Sequence, residues 1–600
     1  MKSASQKEVR IGGASGYWGD SQEAPRQLLE KGNVDYLVFD YLAEVTMSIL
    51  VRAKQKSPDL GYARDFVDLV MKPLLPAIKA KGVKVVVNAG GVNIAACAEA
   101  LRKVAADQGL SLKVGIVEGD DVLDQLPRLA AEGTREMFQD KPMPDSMISA
   151  NAYLGAFPIA AALDAGAEVV ITGRCVDSAV TLGPLIHEFG WQPTDFDRLA
   201  AGSLVGHIIE CGAQATGGNF TDWKEVADGW DDMGYPIAVC RADGTFAITK
   251  PEGTGGRVSR LTVGEQILYE IGDPAAYILP DVVCDFTDVT LEETKPDWLE
   301  VAHAKGRAPT STYKVSGTYR DGYRSTASTI ITGFDAAAKG QAFMDSLIKR
   351  TRRLFVERNL GDYRGISSHL VGAETLWGQN AHPTARESRE IMARLDVRHD
   401  EREALELFSK ETTGVALSMT TGRCSAGAAG RPKITPVVAQ FAFKIAKDRV
   451  HPKVSVNGEE VAFAALDPSL FQDDLIQSPV AADDAPDLSG PSKEVDLIEL
   501  AVARSGDKGN NANVGVMARN KSYLPYIRAA LDEAAVAGWF AHVLKGEVTR
   551  YDLPGMNALN FLLTDCLDGG GTSSLHLDNM GKTYGQQILA MKVRVPEGLL

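Results

Sequence analysis

The sequence lacks the cysteine patterns that would indicate a disulfide framework or a thiolate zinc site. Only seven of its 600 residues are cysteines, and no two of them form a CxxC pair. It also lacks an apolar run of the roughly 18 residues that a membrane helix needs. The polar amino terminus shows no signal peptide. We therefore predict a cytoplasmic location, with no membrane as partner.

Positive charge is also scarce. Lysine and arginine number 63 against 79 for aspartate and glutamate, which gives a formal net charge of −16. Because a polyanion would be repelled, this balance argues against nucleic acid as the main partner. A local pocket can still oppose the global field, so an anionic small molecule remains open as the ligand.

The sequence carries no nicotinamide, flavin or biotin signature. No Walker loop of G-x-x-x-x-G-K-S/T form and no G-x-S-x-G elbow occurs. The stretch 12–20 follows the first predicted strand, but its spacing is not G-x-G-x-x-G, and Tyr17 and Trp18 would obstruct a pyrophosphate. We interpret these two side chains as a wall of an apolar substrate pocket, although core packing is the commoner role of a tryptophan.

The chain divides into a regular and a less regular part. Apolar strands alternate with amphipathic helices up to about residue 190, which predicts an α/β fold with a largely parallel sheet, either open or closed into a barrel. We predict an α/β core domain over 1–300 and an α+β section over 301–470. A linker is predicted over 472–494, and a small α/β sandwich over 495–600.

Three local elements are predicted in the later part of the chain. Asp321 and Gly322 form a good turn pair, which predicts a hairpin within 312–333. A helix is expected from Ala336 to Asn359, and another over 523–544.

Polar residues beside glycines follow most of the predicted parallel strands. Ligands bind at the carboxyl ends of such strands, because loops and helix amino termini converge there. Asp120 and Asp121 also occupy one of these ends, and Glu44 lies one helical turn beyond Asp40. The candidate catalytic residues, predicted to line one hollow, are Asp20, Asp40, Glu44, Asn88, Glu118, Arg174 and Asp177.

Such a cluster suits two kinds of chemistry. Its oxygens can bind a divalent cation, or the cluster can raise the pKa of one carboxyl for general acid–base catalysis. Asp and Asn at strand ends also serve as helix caps and turn formers. Capping explains any one of these residues more readily than all of them together.

Two further features have alternative interpretations. His207 and Cys211 would share one helix face, which suits a metal pair or a nucleophile with its base, but we favour a buried histidine beside a buried cysteine. The stretch 504–511 contains Arg504 and Lys508 in a glycine-bearing turn. It predicts either an anion-binding nest for a phosphate or carboxylate, or an ordinary charged hairpin turn.

Several of these stretches together resemble the acyclic terpene utilisation AtuA family. They are 13–20, 88–91, 172–177 and 212–219, while 504–509 resembles the start of that family's carboxy-terminal AtuA-like domain, which implies a ferredoxin-like sandwich. The resemblance covers essentially the whole chain. It implies a role in the catabolism of citronellol, geraniol or similar branched acids, as CoA thioesters or free acids.

The resemblance also implies a reaction. We expect a lyase that cleaves a 3-hydroxy-3-isohexenylglutaryl-type thioester with release of acetate, or a hydratase. Arg174 with the Gly90 and Gly91 amides would stabilise the enolate, and Arg504 and Lys508 would hold the thioester's phosphates. The substrate-binding candidates are Tyr17, Trp18, Gly90, Gly91, Asn219, Arg504 and Lys508. The rival interpretation is a non-catalytic subunit or scaffold of an acyl-CoA carboxylase pathway, and a homo-oligomer is left open.

Overall fold

The computed structural model describes residues 7–425, 430–463, 465–475 and 486–600. The side chain of Glu44 lies outside the described part, and so do residues 476–485 of the predicted linker. The predicted domain boundaries stay predictions.

Thirteen strands and nine α-helices are found among the described residues before 310. The strands are β1 (Glu8–Ser15), β2 (Tyr36–Phe39), β3 (Lys84–Val87), β4 (Val114–Glu118), β5 (Ser149–Ala152), β6 (Val169–Thr172), β7 (Ile237–Arg241), β8 (Phe246–Thr249), β9 (Tyr277–Ile278), β10 (Val283–Asp285), β11 (Thr290–Lys295), β12 (Trp298–Ala302) and β13 (Lys305–Arg307). The helices are α1 (Glu23–Lys31), α2 (Glu44–Lys56), α3 (Lys72–Lys81), α4 (Ile94–Asp107), α5 (Leu126–Ala131), α6 (Phe157–Asp164), α7 (Ala179–Phe189), α8 (Phe196–Ile209) and α9 (Arg260–Leu268).

The rest of the chain is richer in antiparallel strands. They are β14 (Thr312–Thr332), β15 (Gly365–Val371), β16 (Glu390–His399), β17 (Arg423–Ser425), β18 (Ile434–Ala446), β19 (Lys453–Val456), β20 (Glu459–Val461), β21 (Ser492–Asp496), β22 (Ala501–Lys508), β23 (Asn511–Ala518), β24 (Val548–Leu553), β25 (Ala558–Leu563) and β26 (Lys592–Pro596). The helices are α10 (Ala336–Glu357), α11 (Arg402–Gly414), α12 (Leu524–Ala530), α13 (Glu533–Trp539) and α14 (Tyr584–Ile588). Within the described residues, no helix combines the length and apolarity needed to cross a membrane.

Five parallel strands form the centre of an 11-stranded sheet, in the order β1-β2-β3-β6-β4. Antiparallel strands extend it on the β1 side through β7, β8, β12 and β11, and on the β4 side through β19 and β20. The predicted α/β class is confirmed. The sheet runs from β11 to β20 without closing, so it is open and not a barrel.

Successive side chains of the short central strands point to opposite faces of the sheet, and both faces are covered by apolar packing. Val38 and Val86 pack in one apolar cluster with Ile159 of α6. Leu37 and Val85, one residue before them, pack in a second cluster with α1 and α4. Strands that are buried on both faces need nearly continuous apolar sequence, which is the pattern seen here.

The long strand β14 corrects one prediction. The chain does not turn back at Asp321 and Gly322, so the predicted hairpin is wrong. β14 runs through them, and its register with β18 shifts between Arg320 and Tyr323. Gly322 has a φ of +75°, which fits a bulge in a continuous strand. The two halves of β14 thereby pair with different strands, β5 and β18 before the bulge and mainly β16 and β17 after it.

The helix predicted from Ala336 is confirmed as α10, although it ends two residues early. The helix predicted over 523–544 is instead two short ones, α12 and α13. Asp532 lies between them, and its carboxylate accepts a hydrogen bond of 2.7 Å from the amide of Ala535. An aspartate in this position caps a new helix, which explains the break.

The carboxy-terminal unit is an antiparallel sheet in the order β22-β23-β25-β24, packed between two layers of helix. Val514 and Phe561 belong to a cluster with α12 and α13. Val502 and Met517 belong to the other face and pack in one cluster with Val263 of α9. The predicted small α/β sandwich is therefore built against a helix of the amino-terminal part.

Two asparagines fix this unit to the end of α9. The Nδ2 atom of Asn513 donates to the carbonyl of Leu268 at 2.6 Å, and that of Asn560 donates to the carbonyl of Gly272 at 2.7 Å. Asn513 Oδ1 accepts from the amide of Glu270 at 2.9 Å. Both asparagines are completely buried, so these bonds satisfy polar groups that water does not reach.

Candidate active site

The ends of β2 and β3 bring two predicted residues together. Asn88 Nδ2 donates to Asp40 Oδ1 at 2.5 Å, and Asn88 Oδ1 accepts from the amide of Tyr41 at 2.7 Å. Asp40 and Asn88 are both buried. Asn88 therefore holds the Asp40 carboxyl in one orientation.

The end of β6 brings Arg174 and Asp177 to the same place. Arg174 Nη1 donates to Asp177 Oδ1 and to the carbonyl of Cys175, both at 2.8 Å. Its guanidinium lies 4.0 Å from the ring centroid of Tyr153. Arg174 keeps 3% of its side chain exposed and Asp177 keeps 40%, so Asp177 is the solvent-facing member of the pair.

Electrostatics connect these four side chains. Burial raises the pKa of Asp40 well above its ordinary value, and the negative charge of Asp177 raises it further. The charge of Arg174 and the bond from Asn88 oppose that rise only in part. Burial therefore favours the protonated form of Asp40 beside the Arg174–Asp177 ion pair, an arrangement found at proton-transfer sites.

Glu210 completes the group, although the sequence reasoning did not single it out. It follows α8, and its Oε1 lies 3.3 Å from Nδ1 of the buried His207. Burial raises the pKa of Glu210 to about 7, although His207 opposes the rise. The charge of Asp177 raises it as well. We call Asp40, Asn88, Arg174, Asp177 and Glu210 the acid centre.

Two glycines of the first loop allow this approach. A Cβ atom on Gly13 would lie 2.4 Å from the carbonyl of Ile209, and one on Gly16 would lie 2.9 Å from that of Glu210. Only glycine fits where two backbones come so close. These glycines are the sequence signal for the close approach of the Glu210 backbone.

His207 and Cys211 do not form a nucleophile with its base. His207 is buried, and its Nε2 lies 3.1 Å from the carbonyl of Ile267. Burial raises the pKa of the Cys211 thiol well above its ordinary value, which disfavours the thiolate. The favoured interpretation was a buried histidine beside a buried cysteine; His207 is buried, whereas Cys211 is only partly buried.

Tyr277 is a second residue that sequence reasoning missed. Burial raises the pKa of its hydroxyl well above the ordinary value, and the charges of Glu210 and Asp177 add to the rise. The ammonium of Lys508 lies 5.8 Å from the Tyr277 ring centroid. The carboxy-terminal unit therefore brings Lys508 to the edge of the acid centre.

Glu118 does not belong to the acid centre. It lines a separate cavity of about 320 Å³, bounded by Lys54, residues 91–95, residues 118–121 and Asn151. Asp120 links the two places, because its Oδ2 accepts from the Arg174 amide at 2.9 Å and from Asn151 Nδ2 at 2.8 Å. Burial raises the pKa of Asp120 to about 6. The predicted residues therefore do not all line one hollow, because Glu118 lies in a different cavity from the acid centre.

Asp20 has the role of a turn former. Its Oδ2 accepts from the amide of Gly16 at 2.8 Å and its Oδ1 from the amide of Ser21 at 2.7 Å. Tyr17 is 60% exposed, and Trp18 packs in an apolar cluster while donating to Asp65 at 3.1 Å. The proposed base and the proposed aromatic wall therefore have no support from this geometry.

The amide of Gly90 is not available to an enolate. It donates to the carbonyl of Thr172 at 3.1 Å, while the amide of Gly91 points to the carbonyl of Asn88 at 3.5 Å. A Cβ atom on Gly90 would lie 2.6 Å from the Thr172 carbonyl. These glycines join two strand ends closely, which is a structural role.

Arg504 lies within β22 and not in the turn, which argues against the predicted anion nest. It is buried, and it contacts Glu265 at 3.2 Å, Gln214 at 3.0 Å and the carbonyl of Gly218 at 3.0 Å. Asn219 is exposed and donates to Gln214 at 3.1 Å. Arg504 therefore serves the contact between the two parts of the chain, while Asn219 bonds to a residue of its own part.

No three His, Cys, Asp or Glu side chains among the described residues are arranged so that they could hold a metal ion. In the acid centre, Arg174 occupies the position beside Asp177 that a cation would need. The divalent cation considered from the sequence therefore has no ligand set in the described part of the chain.

Comparison with known families agrees with the resemblance found in the sequence. The model of the acyclic terpene utilisation family protein AtuA matches residues 9–456. The chain belongs to the AtuA family. The model of the AtuA ferredoxin-like domain matches 495–594, which confirms the second half of the resemblance. No curated protein and no solved structure matches the chain. AtuA-family membership supports a role in acyclic terpene utilisation.

Proposed function

We propose that this AtuA-family chain is an enzyme whose acid centre performs general acid–base catalysis on a branched hydroxyacyl substrate. The observation that carries the proposal is that Asp40 and Glu210, both with raised pKa, lie beside the Arg174–Asp177 pair. A nearby positive charge lowers the pKa of a carboxyl, whereas burial and neighbouring negative charges raise it. Groups that exchange protons near neutral pH need a pKa close to it.

The favoured reaction is carbon–carbon cleavage, with release of acetate, of a 3-hydroxyacyl thioester that is branched by a carboxymethyl group on its hydroxyl carbon. A base removes the hydroxyl proton, the hydroxyl carbon becomes a carbonyl, and the bonding pair leaves on the departing carboxymethyl carbon. We assign the role of base to Asp177, and the support for this is that Arg174 orients it and solvent reaches it. We assign the return of a proton to the departing carbon to Glu210, and its pKa of about 7 supports this.

The negative charge of the departing group needs an electrophile. Tyr277, whose high pKa keeps its hydroxyl protonated, can donate to a developing oxyanion. Lys508 lies beside Tyr277 and supplies a cation for the substrate's free carboxylate. Elimination of water from the same hydroxyacyl group would use the same acid and base, so a hydratase is the variant reaction.

The test uses the purified full chain with a branched 3-hydroxyacyl thioester and, separately, with the matching free acid. Acetate, free thiol and the dehydrated acyl product are measured, which separates cleavage, hydrolysis and dehydration. We expect acetate release, and its loss in Asp40→Asn and in Glu210→Gln.

Asp281→Asn is the matched control. Asp281 is 4% exposed, and burial raises its pKa to about 6, but it accepts from the amide of Ala156 at 2.7 Å and is not part of the acid centre. This variant should keep its turnover. Full activity in Asp40→Asn and Glu210→Gln would reject the proposal, and a wild-type chain inert on every substrate would favour a scaffold.

A further inference from the structure

The carboxy-terminal unit presents Lys582 to a carboxylate next to the acid centre. Lys582 Nζ donates to Glu270 Oε1 at 2.5 Å and to Asp507 Oδ1 at 2.9 Å, and it also donates to the hydroxyl of Tyr269. The ammonium lies 4.5 Å from the centroid of the Tyr269 ring. All three donor positions of the lysine are therefore engaged.

The backbone of Glu270 is held by the same unit. Its φ is +57°, a conformation uncommon for residues other than glycine. As described above, its amide donates to Asn513. A Cβ atom on Gly506 would lie only 2.6 Å from Cγ of Glu270, so β22 reaches this side chain because it carries a glycine there. The position of Glu270 thus depends on three contacts with the carboxy-terminal unit.

Glu270 carries a negative charge that acts on the acid centre. Burial alone would raise its pKa, but Lys582 and Lys508 outweigh burial and keep the pKa of Glu270 below the ordinary value. Its carboxylate in turn adds to the rise in the pKa of Glu210. The charged and titratable groups around Glu270 are Lys582, Lys508, Tyr269, Tyr277, Glu210 and Cys211, together with Asp507, which shares the Lys582 ammonium.

We propose that Lys582 is a positioning residue that the carboxy-terminal unit supplies to the acid centre, where it holds and neutralises the carboxylate of Glu270 beside Glu210. The inference rests on the proposed function of the acid centre. Lys582 acts through Glu270 and does not touch the substrate. The small unit is then part of the active site and not an appendage to it.

The first test is the pH profile of turnover in the full chain. In Lys582→Met, Lys508 still favours the ionised form of Glu270, so the uncompensated carboxylate raises the pKa of Glu210. The limb of the profile that reports Glu210 should move to higher pH by about half a unit. Glu270→Gln removes the carboxylate and should move the same limb to lower pH. Lys582→Arg keeps a cation at this position, so its pH profile should match that of the wild type.

The double variant decides whether Lys582 acts through Glu270. Adding Lys582→Met to Glu270→Gln should cause no further shift. If Lys582→Met shifted the pH profile equally in the wild-type chain and in the Glu270→Gln chain, the proposal would be overturned. Lys545→Met is the control, because Lys545 belongs to the same unit and its ammonium lies 3.4 Å from Asp568. It should leave the profile unchanged.

A second measurement does not need a substrate. The lowered pKa of Glu270 stabilises the fold above the ordinary glutamate pKa, and that stabilisation is lost as the pH falls through the folded value. The unfolding temperature of Lys582→Met should therefore lie below that of wild type at pH 7, with the difference narrowing in acid. A pH-independent difference would overturn the Lys582–Glu270 pairing even if turnover is found. If the difference in unfolding temperature narrows in acid but no turnover is found, only the proposed function is rejected.

Discussion

The two ends of the same parallel strands carry polar clusters of opposite character. At the amino ends, the hydroxyl of Tyr36 donates to Glu188 at 2.5 Å, and Lys7 donates to the same carboxylate at 2.7 Å. Nearby, His187 Nδ1 lies 2.5 Å from Asp164 Oδ1, and Lys84 lies 3.0 Å from His187 Nε2. At the carboxyl ends lies the acid centre.

The pKa values of two glutamates summarise this difference. Burial alone would raise the pKa of Glu188, but the bonds from Lys7 and Tyr36 outweigh it and lower the pKa to about 2. For Glu210, burial prevails and the pKa rises to about 7. A half-buried carboxyl bonded to a lysine stabilises the fold, whereas a buried carboxyl close to other acids is suited to proton transfer.

The largest expected effect that would sharpen this comparison is on turnover. Glu210→Gln removes a proton-exchanging group and should lower kcat by about 10²–10⁴-fold. Glu188→Gln, the same change at the opposite strand ends, should leave kcat near the wild-type value. Steady-state kinetics at pH 7 on folded variants check both. Similar losses in the two variants would mean that the strand ends do not differ in function.

The next largest effect is expected on the free energy of unfolding, through the cluster at the amino ends of the parallel strands. Glu188→Gln should lower the free energy of unfolding by about 2 kcal/mol at pH 7, since it removes charge-assisted hydrogen bonds. The folded pKa of about 2 lies below the unfolded one, so this stabilisation is present at neutral pH and lost as the pH falls toward 2. Unfolding midpoints at pH 7 and pH 3 test it. An equal difference at both pH values would contradict it.

At the carboxyl ends of the strands, the corresponding substitution should raise the free energy of unfolding and not lower it. The folded pKa of Glu210, about 7, lies above the unfolded one, so ionising this residue costs stability as the pH rises from the unfolded value to 7. Glu210→Gln should therefore be more stable than wild type by about 1–2 kcal/mol at pH 8 and equal to it near pH 4. A variant that is less stable at pH 8 would show that this carboxylate is structural.

The smallest effect concerns the exposed partner of Glu188. Lys7 keeps 59% of its side chain exposed, so its pair with Glu188 is open to solvent. Lys7→Ala should cost less than about 1 kcal/mol, and the loss should shrink in high salt. Unfolding midpoints in low and high salt measure this. A larger loss that ignores salt would indicate that packing, and not charge, is what Lys7 contributes.

The sequence allowed the central part of the fold to be predicted, because short apolar strands followed by polar residues are local patterns. That reasoning also placed Asp40, Asn88 and Arg174 correctly at strand ends that meet. It did not separate Glu118 from them, since neighbouring strand ends can open into different hollows. The catalytic role predicted for Asp20 also has no support, because the hydrogen bonds that engage its carboxylate depend on the shape of its own loop.

Glu210, Glu270 and Tyr277 could not be found in this way. They follow helices or stand in a short strand, and only the packing of α8 and α9 against the sheet brings them to the acid centre. The misread hairpin has a similar cause. Asp321 and Gly322 are good turn residues, but pairing with β16 and β18, distant in sequence, holds β14 extended through them.

The buried asparagines of the carboxy-terminal sheet limit how this unit can be exchanged. Asn513 and Asn560 stand in the middle of a sheet face where most neighbours are apolar, and their amides are matched to the carbonyls that follow one particular helix. A graft onto a different apolar surface would take these carbonyl acceptors from both amides, and Asn513 would keep only its bond of 2.8 Å to Asn560 Oδ1. Any scaffold that is to receive this unit must therefore offer a helix that ends at the same point above the sheet.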